Sequence, residues 1–450
     1  MKTFYDIHMH AFDLSHPNLS VFFQRDDLID DLIDKVLTLS TRLTLPFINF
    51  FPNSCIKKEI NKKIAGFQQQ LNNTLAFFEI PMEYQFLVLD YFLRKNVSAN
   101  NQPLQIGEDV YDKMVLCPLV IDFGRKNIQE STFYNLTPKT PTASQVSDLL
   151  YAIRTYCRFN VETVNNKMSL EEINDWADCK QKKLFEIYPF MGIDTQNYDT
   201  KEDVKNLLDK YFKGFSRNET AEERRGRLFE KMGMFDGNLY RDRQILTADD
   251  KAYLTKKHIA LDYQYAFAGI KVYPQLGFNP FPDNPDELDK VKVLYEYCVE
   301  KRIPITTHCS DSGYKPEDNN HLTSPLEKWT KVLNAYPGLT LNFAHFGSQT
   351  DRKKTQWRDA IIELTNKYDR VFTDIACKKP AYYAELRDLT GANPRLREKV
   401  LFGSDFSINL LVTKTNCYNE NLEAFTKAEF DTSCKMKICE SNPQRFLFGE

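Results

Sequence analysis

No Cys-x-x-Cys pair occurs among the ten cysteines, which are scattered singly along 450 residues. In a chain of this length that argues against a disulfide framework and for reduced, mostly buried thiols. No apolar run reaches the length of a membrane-spanning helix. The opening residues, Met-Lys-Thr-Phe-Tyr-Asp, carry no apolar leader segment, so a cytoplasmic protein is expected. The formal net charge is only -3, which gives no reason to expect a nucleic acid or an anionic membrane as partner. Lysine pairs such as Lys57-Lys58 and Lys182-Lys183 are short and interleaved with acids, so they are expected on solvated faces. Neither Gly-x-Gly-x-x-Gly nor Gly-x-x-x-x-Gly-Lys follows a predicted strand, which leaves a doubly wound nucleotide-binding fold poorly supported. There is no linker and no internal repeat.

What is present is ordinary globular material. With 42% hydrophobic and 27% charged residues, the chain suffices for one large domain with insertions or for two domains. Phe and Tyr number 33 and 23, enough for a thick core and aromatic-lined clefts, though they name no ligand.

Thr3–Ile7 reads as a short strand that stops at the histidines. Periodicity predicts helices over 24–45, 56–72 and 84–95. Lys113–Asp122 is a continuous apolar run, as in a buried strand of a parallel sheet. Helices are predicted over 144–160 and 169–176, the second opened by Ser169-Leu-Glu-Glu with the character of a capping box. Leu184–Ile193 is the next buried strand. A charged, helix-rich stretch follows from about 200 to 262, with a loop tip at Met232-Gly-Met-Phe-Asp-Gly-Asn. Beyond 265 the rhythm becomes regular. Strands over 266–273, 303–308, 339–345, 371–375 and 400–405 alternate with helices over 287–302, 324–336, 355–367 and 381–389. The chain closes on a helix ending Asn442-Pro-Gln-Arg-Phe-Leu-Phe.

Eight β-α units favour a closed barrel over an open sheet. The expected fold is α/β: one distorted (β/α)8 TIM barrel over residues 1–450, with long helical insertions after strands 1 and 3. These fall at 20–112, as a cap, and at 195–265, both at positions that shape the mouth. A separate N-terminal helical domain is the weaker alternative, because the first strand precedes those helices.

The chain has only seven histidines, and four of them end predicted strands. His8 and His10 end the first, His308 the fifth and His345 the sixth; Asp405 ends the eighth and Lys271 lies in the fourth. His16, His258 and His321 fall in loops or helices. His8 and His10, two apart on a strand, point to one side. Alone, a His-x-His pair is most often an incidental surface or turn feature, and each single histidine is as well explained by a carbonyl contact in the core. Asp405 could equally be a helix N-cap. The set weighs more, because every strand of a barrel ends at the same mouth. Three or four histidines and an aspartate there suit Zn²⁺ or another divalent ion, with a position left for water. Such an ion would lower the pKa of a bound water to roughly 7 and polarise a carbonyl. Asp405 would serve as both ligand and general base.

His8-Met-His10, Thr307-His308, Ala344-His345-Phe-Gly and Phe402-Gly-Ser-Asp405 resemble the amidohydrolase superfamily of metal-dependent hydrolases. They are most similar to its amidohydrolase-related branch, which includes decarboxylases such as aminocarboxymuconate semialdehyde decarboxylase. Gly269–Phe278 and Asn442-Pro-Gln-Arg-Phe match that branch too. The likeness is strong over residues 4–10 and 266–450. It implies His8, His10, His308 and Asp405 as metal ligands, with His345 a second-metal ligand or a catalytic group. In binuclear members the strand-four lysine is carboxylated and bridges two metals, which would make Lys271 a ligand; Ile-Lys-Val-Tyr-Pro is similar to the lysine strand of dihydroorotases. In mononuclear members the same Gly-Ile-Lys pattern carries a free amine. One or two Zn²⁺ ions, or another divalent metal, are therefore expected. Tyr273 and Ser310 are candidate substrate-binding residues. Cys309 and Asp374 also lie near strand ends, and for all four packing is the more ordinary role.

The function expected is a metal-dependent hydrolase that cleaves a C–N or C–O bond of a small polar substrate. Catalysis would use metal-activated water, with Asp405 as base and His345 stabilising developing charge. A non-oxidative decarboxylase on the same barrel is the alternative, and a non-catalytic barrel with a relic metal site is the third reading. The partner expected is a small-molecule substrate, with a homo-oligomer left open.

Overall fold

The structure, a computed structural model, describes residues 2–11, 80–100, 104–122, 141–164, 167–173, 176–234, 262–313, 318–351, 353–408 and 418–449. The helices predicted over 24–45 and 56–72, most of the 20–112 insertion, residues 235–261, His16 and His258 lie outside the described residues.

The strands in chain order are β1 (Lys2–Met9), β2 (Leu104–Ile106), β3 (Asp109–Pro118), β4 (Phe159–Val164), β5 (Lys167–Glu172), β6 (Phe185–Ile187), β7 (Phe190–Gly192), β8 (Gly269–Val272), β9 (Ile305–Thr307), β10 (Leu341–Phe343), β11 (Val371–Asp374) and β12 (Val400–Leu401). Parallel pairing runs along two arcs, β1–β3–β6 and β7–β8–β9–β10–β11–β12. The arcs meet at both seams. At one, Leu119 bridges Phe190 and Val120 N–H donates to the Phe190 carbonyl at 3.0 Å. At the other, Met9 bridges Phe406, Ile7 N–H donates to the Phe402 carbonyl at 3.1 Å and Asp405 N–H to the His8 carbonyl at 2.7 Å. Counting β6 and β7 as one interrupted strand, the ring has the eight members the sequence predicts, with helices between successive strands. Residues 371–374, 269–272 and 305–307 are buried throughout, as strands covered on both faces must be.

The third barrel strand breaks at Tyr188-Pro189 because Pro189 has no N–H to give to a ladder. Helix Pro285–Lys301 begins where the Asn284 side chain accepts from the N–H groups of Asp286 and Glu287, with Pro285 in the first turn. Two local expectations are overturned. Residues 169–172 are not helical: they lie in β5, which pairs antiparallel with β4, and the preceding helix ends at Arg158. Val161, Thr163 and Val164 favour extended backbone, and cross-strand pairing outweighs the four-residue capping signal of Ser169-Leu-Glu-Glu. Met232–Met234 closes the helix Ala221–Met234 and is not a loop tip; Met232 is buried. In the 195–265 insertion the described helices are Lys201–Phe212 and Ala221–Met234, and after β1 the helix Met82–Asn100 is described. Among the described residues no helix is long and apolar enough to cross a membrane.

One glycine is required by close packing at the seam. A Cβ on Gly403 would lie 2.7 Å from the His8 Cβ and 3.3 Å from the Ala376 Cβ. Gly403→Ala is therefore expected to cost about 1–3 kcal/mol in urea unfolding, through overpacking. Gly226→Ala, in helix Ala221–Met234 where a new Cβ meets nothing within 4 Å, is expected to stabilise by about 0.5–1 kcal/mol. Equal effects of the two substitutions would refute this account of the seam.

Candidate metal centre

The carboxyl ends of the strands place His8 and His10 (end of β1 and just beyond), His308 (after β9), His345 (after β10), Asp374 (end of β11) and Asp405 (after β12) in one buried cluster. Two groups lie within 4.8 Å of one another, atom to atom: His8, His10 and Asp405, and His8, His345 and Asp374. His308 joins through His345, the His345 Nε2 to His308 Nδ1 distance being 3.2 Å.

The first group has a defined polarity. His8 Nδ1 lies 3.0 Å from Asp374 Oδ2, and His10 Nδ1 lies 3.0 Å from the Leu119 carbonyl oxygen. Both partners only accept, so both Nδ1 atoms carry the proton. With Nδ1 protonated, Nε2 is the nitrogen that a neutral ring offers to a metal. These two nitrogens lie 3.5 and 3.3 Å from Asp405 Oδ1. Burial keeps His10 below its ordinary pKa, hence neutral, against the pull of Asp405. Burial alone would raise Asp405, but its contact with His10 and the neighbouring imidazoles hold the carboxyl well below the usual carboxylate range. His8 Nε2 is buried and makes no hydrogen bond.

The backbone is held in unusual shapes to achieve this. His345, Phe346 and Asp405 have φ of 61°, 50° and 55°, the left-handed region that non-glycine residues rarely occupy. At His345 the cost is offset by its N–H, which donates to Asp374 Oδ1 at 2.8 Å. At Asp405 it is offset by the 2.7 Å bond to the His8 carbonyl. Burial pushes His345 down to about 3, so it too is a neutral imidazole. Burial also takes His308 well below its ordinary value.

Lys271 projects from β8 with a buried Nζ that makes no hydrogen bond and lies 5.5 Å from the centre of the Tyr273 ring. Burial lowers it to about 8, against the attraction of Asp374 and Asp405. Tyr273 stacks on His308, ring centres 4.3 Å apart. Ser310 Oγ lies 3.0 Å from Ser312 Oγ, and its carbonyl accepts from Gln275. Asp405 faces His8 and His10, and among the described residues its side chain caps no helix.

Three buried polar residues have larger parts than the sequence gave reason to assign. Asp374, weighed as packing, accepts from His8, Asn342 Nδ2 (2.7 Å) and the N–H groups of His345 and Ala376. Asn342 interrupts an apolar strand, a detectable signal. Asp6 accepts from the N–H groups of His8 and Ser404 and from the Tyr418 hydroxyl (2.8 Å), and burial raises it to about 6.

The donor set fits a divalent cation. Two imidazole nitrogens and an anionic carboxylate converge there, the donor types that a divalent cation takes. Asp374 supplies the outer carboxylate that fixes the His8 tautomer.

Residues 256–449 match the family model described as Amidohydrolase. No curated protein matches the chain. Among solved structures, a dihydroxybenzoic acid decarboxylase from Polaromonas sp. JS666, solved with bound manganese and 2-nitroresorcinol, is 10% identical over 99% of this chain and 97% of its own, with a TM-score of 0.40. A uronate isomerase from Bacillus halodurans C-125 is 10% identical over 99% and 93%, TM-score 0.39. A 4-oxalomesaconate hydratase from Rhodopseudomonas palustris is 12% identical over 99% and 95%, TM-score 0.37.

Asp374→Asn keeps the side-chain shape but can present an N–H to His8 Nδ1. It is expected to weaken divalent-metal binding about 10–100-fold, read by competition with a chromophoric chelator. Unchanged affinity in a folded variant would remove Asp374 from this positioning role.

Proposed function

We propose that the chain is a metal-dependent hydrolase that cleaves a C–N or C–O bond of a small polar substrate. One observation carries this reading: His8 Nε2, His10 Nε2 and Asp405 Oδ1 turn their lone pairs on one point at the barrel mouth. His8, His10 and Asp405 would hold the ion, with His308 and His345 beside it. A divalent cation there supplies Lewis acidity toward a substrate carbonyl and the attacking water.

The chain's own groups perform the rest. Asp405 is anionic and accepts a proton from the attacking water. The imidazoles that hold its pKa down also make it a weak base, so it passes that proton on to the leaving group instead of retaining it. His345, braced by Asp374 through its backbone N–H and with Nδ1 3.3 Å from the Ala376 carbonyl oxygen, turns Nε2 toward His308 and would stand beside the ion. Tyr273, stacked on His308, closes one side of the mouth, and Ser310 lies beside it. Lys271 brings a cation close to Asp374 and Asp405 without an acidic hydrogen-bond partner.

That cation favours a second reading. A buried ammonium with no acceptor suits a carboxylate, so a non-oxidative decarboxylase whose substrate carboxylate meets Lys271 stands as the alternative.

The test uses the full chain loaded with Zn²⁺ or Mn²⁺, assayed against amide and ester panels and for CO₂ release from carboxylic acids. Amide or ester turnover is expected, and Asp405→Asn is expected to lower kcat about 10²–10⁴-fold. CO₂ release without hydrolysis selects the decarboxylase. The double substitution His8→Ala with Asp405→Ala should abolish stoichiometric metal. Unchanged metal per chain in that variant would sink the site altogether.

A further inference from the structure

At the other end of the barrel, where β6 begins, lies a cluster that the metal centre does not use. Cys157 sits in the last turn of helix Pro141–Arg158, and Cys179 in the middle of helix Trp176–Lys182. Both thiols are free and buried, and they hydrogen-bond to each other. A narrow crevice of about 10 Å³ is lined by both cysteines, between walls that include Tyr156, Trp176 and Phe229.

Cations surround the pair. Lys113 Nζ donates to the carbonyls of Lys180 and Lys183, and Lys183 Nζ donates to the Phe159 carbonyl while lying 4.5 Å over the Tyr156 ring. Asp90 attracts both ammonium groups and opposes ionisation at Cys179, and Glu186 and Asp112 also act on Lys113.

The two thiols are not equivalent. The shared hydrogen bond is the main influence on both, lowering Cys179 and raising Cys157. Burial opposes ionisation at both, while Lys183 and Lys113 add to the lowering at Cys179. A thiolate-leaning sulfur among cations, beside a second thiol and a crevice, is the arrangement that reacts with oxidants.

We propose that Cys157 and Cys179 form a dithiol that hydrogen peroxide converts to a disulfide, with Cys179 attacking and Cys157 resolving. The Cys179 sulfur attacks one peroxide oxygen, the O–O bond breaks, and hydroxide leaves, giving Cys179 sulfenic acid. The Cys157 sulfur then attacks the Cys179 sulfur, the S–O bond breaks, and hydroxide leaves with the Cys157 proton as water. Two thiols lose two electrons and two protons, and the peroxide becomes two waters. The bond would staple the two helices that flank the β4–β5 hairpin. It depends on no assumption about the reaction at the mouth.

The full chain is treated with hydrogen peroxide, alkylated without reduction and mapped by peptide mass spectrometry. A linked Cys157–Cys179 peptide is expected, with an intact-mass loss of about 2 Da. In Cys157→Ser, Cys179 is expected to accumulate as a sulfenic acid trapped by dimedone. In Cys179→Ser, Cys157 is expected to remain an alkylatable thiol. Wild-type protein in which both sulfurs stay alkylatable, or in which another cysteine such as Cys377 oxidises first, overturns the proposal without reference to either variant.

Discussion

A single buried carboxylate, Asp374, organises the mouth of the barrel. It is inaccessible to solvent, and it accepts four hydrogen bonds, from His8 Nδ1, Asn342 Nδ2 and the N–H groups of His345 and Ala376. Burial opposes its ionisation, yet the His8 and His345 rings and these donors hold it well below the usual carboxylate range. An unpaired buried carboxylate would be far too costly to keep; a saturated one fixes everything that bonds to it. Here it sets the proton position on His8, the backbone turn at His345 and the alignment of β10 with β11.

Asp6 does the same work on the other flank of His8. Its oxygens join the His8 and Ser404 backbones to the Tyr418 hydroxyl, and so tie β1 to the segment after β12. That segment carries Asp405, and it approaches β1 so closely that only a glycine fits at 403. The closure of the barrel and the position of the Asp405 carboxylate thus rest on one set of contacts. Disturbing the seam would move a candidate ligand as well as a strand.

The strand ends were legible because a parallel barrel converts sequence position into spatial position. Once eight apolar runs are found, whatever ends them meets at one mouth, and His8, His10, His308, His345 and Asp405 could be gathered without any distance. What stayed hidden was non-local. The β4–β5 hairpin is decided by pairing across Val161–Leu170, which the local capping signal at Ser169 cannot reveal. Asp374 and Asp405 both follow apolar runs, so no local rule separates the carboxylate that orients from the one that faces the imidazole lone pairs. That difference lies in which neighbours occupy the oxygens.

The same occupancy bears on how many cations the mouth can hold. The grouping of His8, His345 and Asp374 has the residue types of a second site. Its carboxylate, however, already accepts four hydrogen bonds, and the His8 nitrogen facing it carries the proton. A cation there would have to displace the interactions that set the His8 tautomer, and so would weaken the first site as it built the second. A carboxylated Lys271 could supply a new anionic ligand. Lys271 Nζ lies 5.5 Å from the centre of the Tyr273 ring, and Asp374 and Asp405 attract its charge. On the proposed reading, then, the arrangement favours a single cation held by His8, His10 and Asp405, with Asp374 as the support that keeps those lone pairs aimed at it.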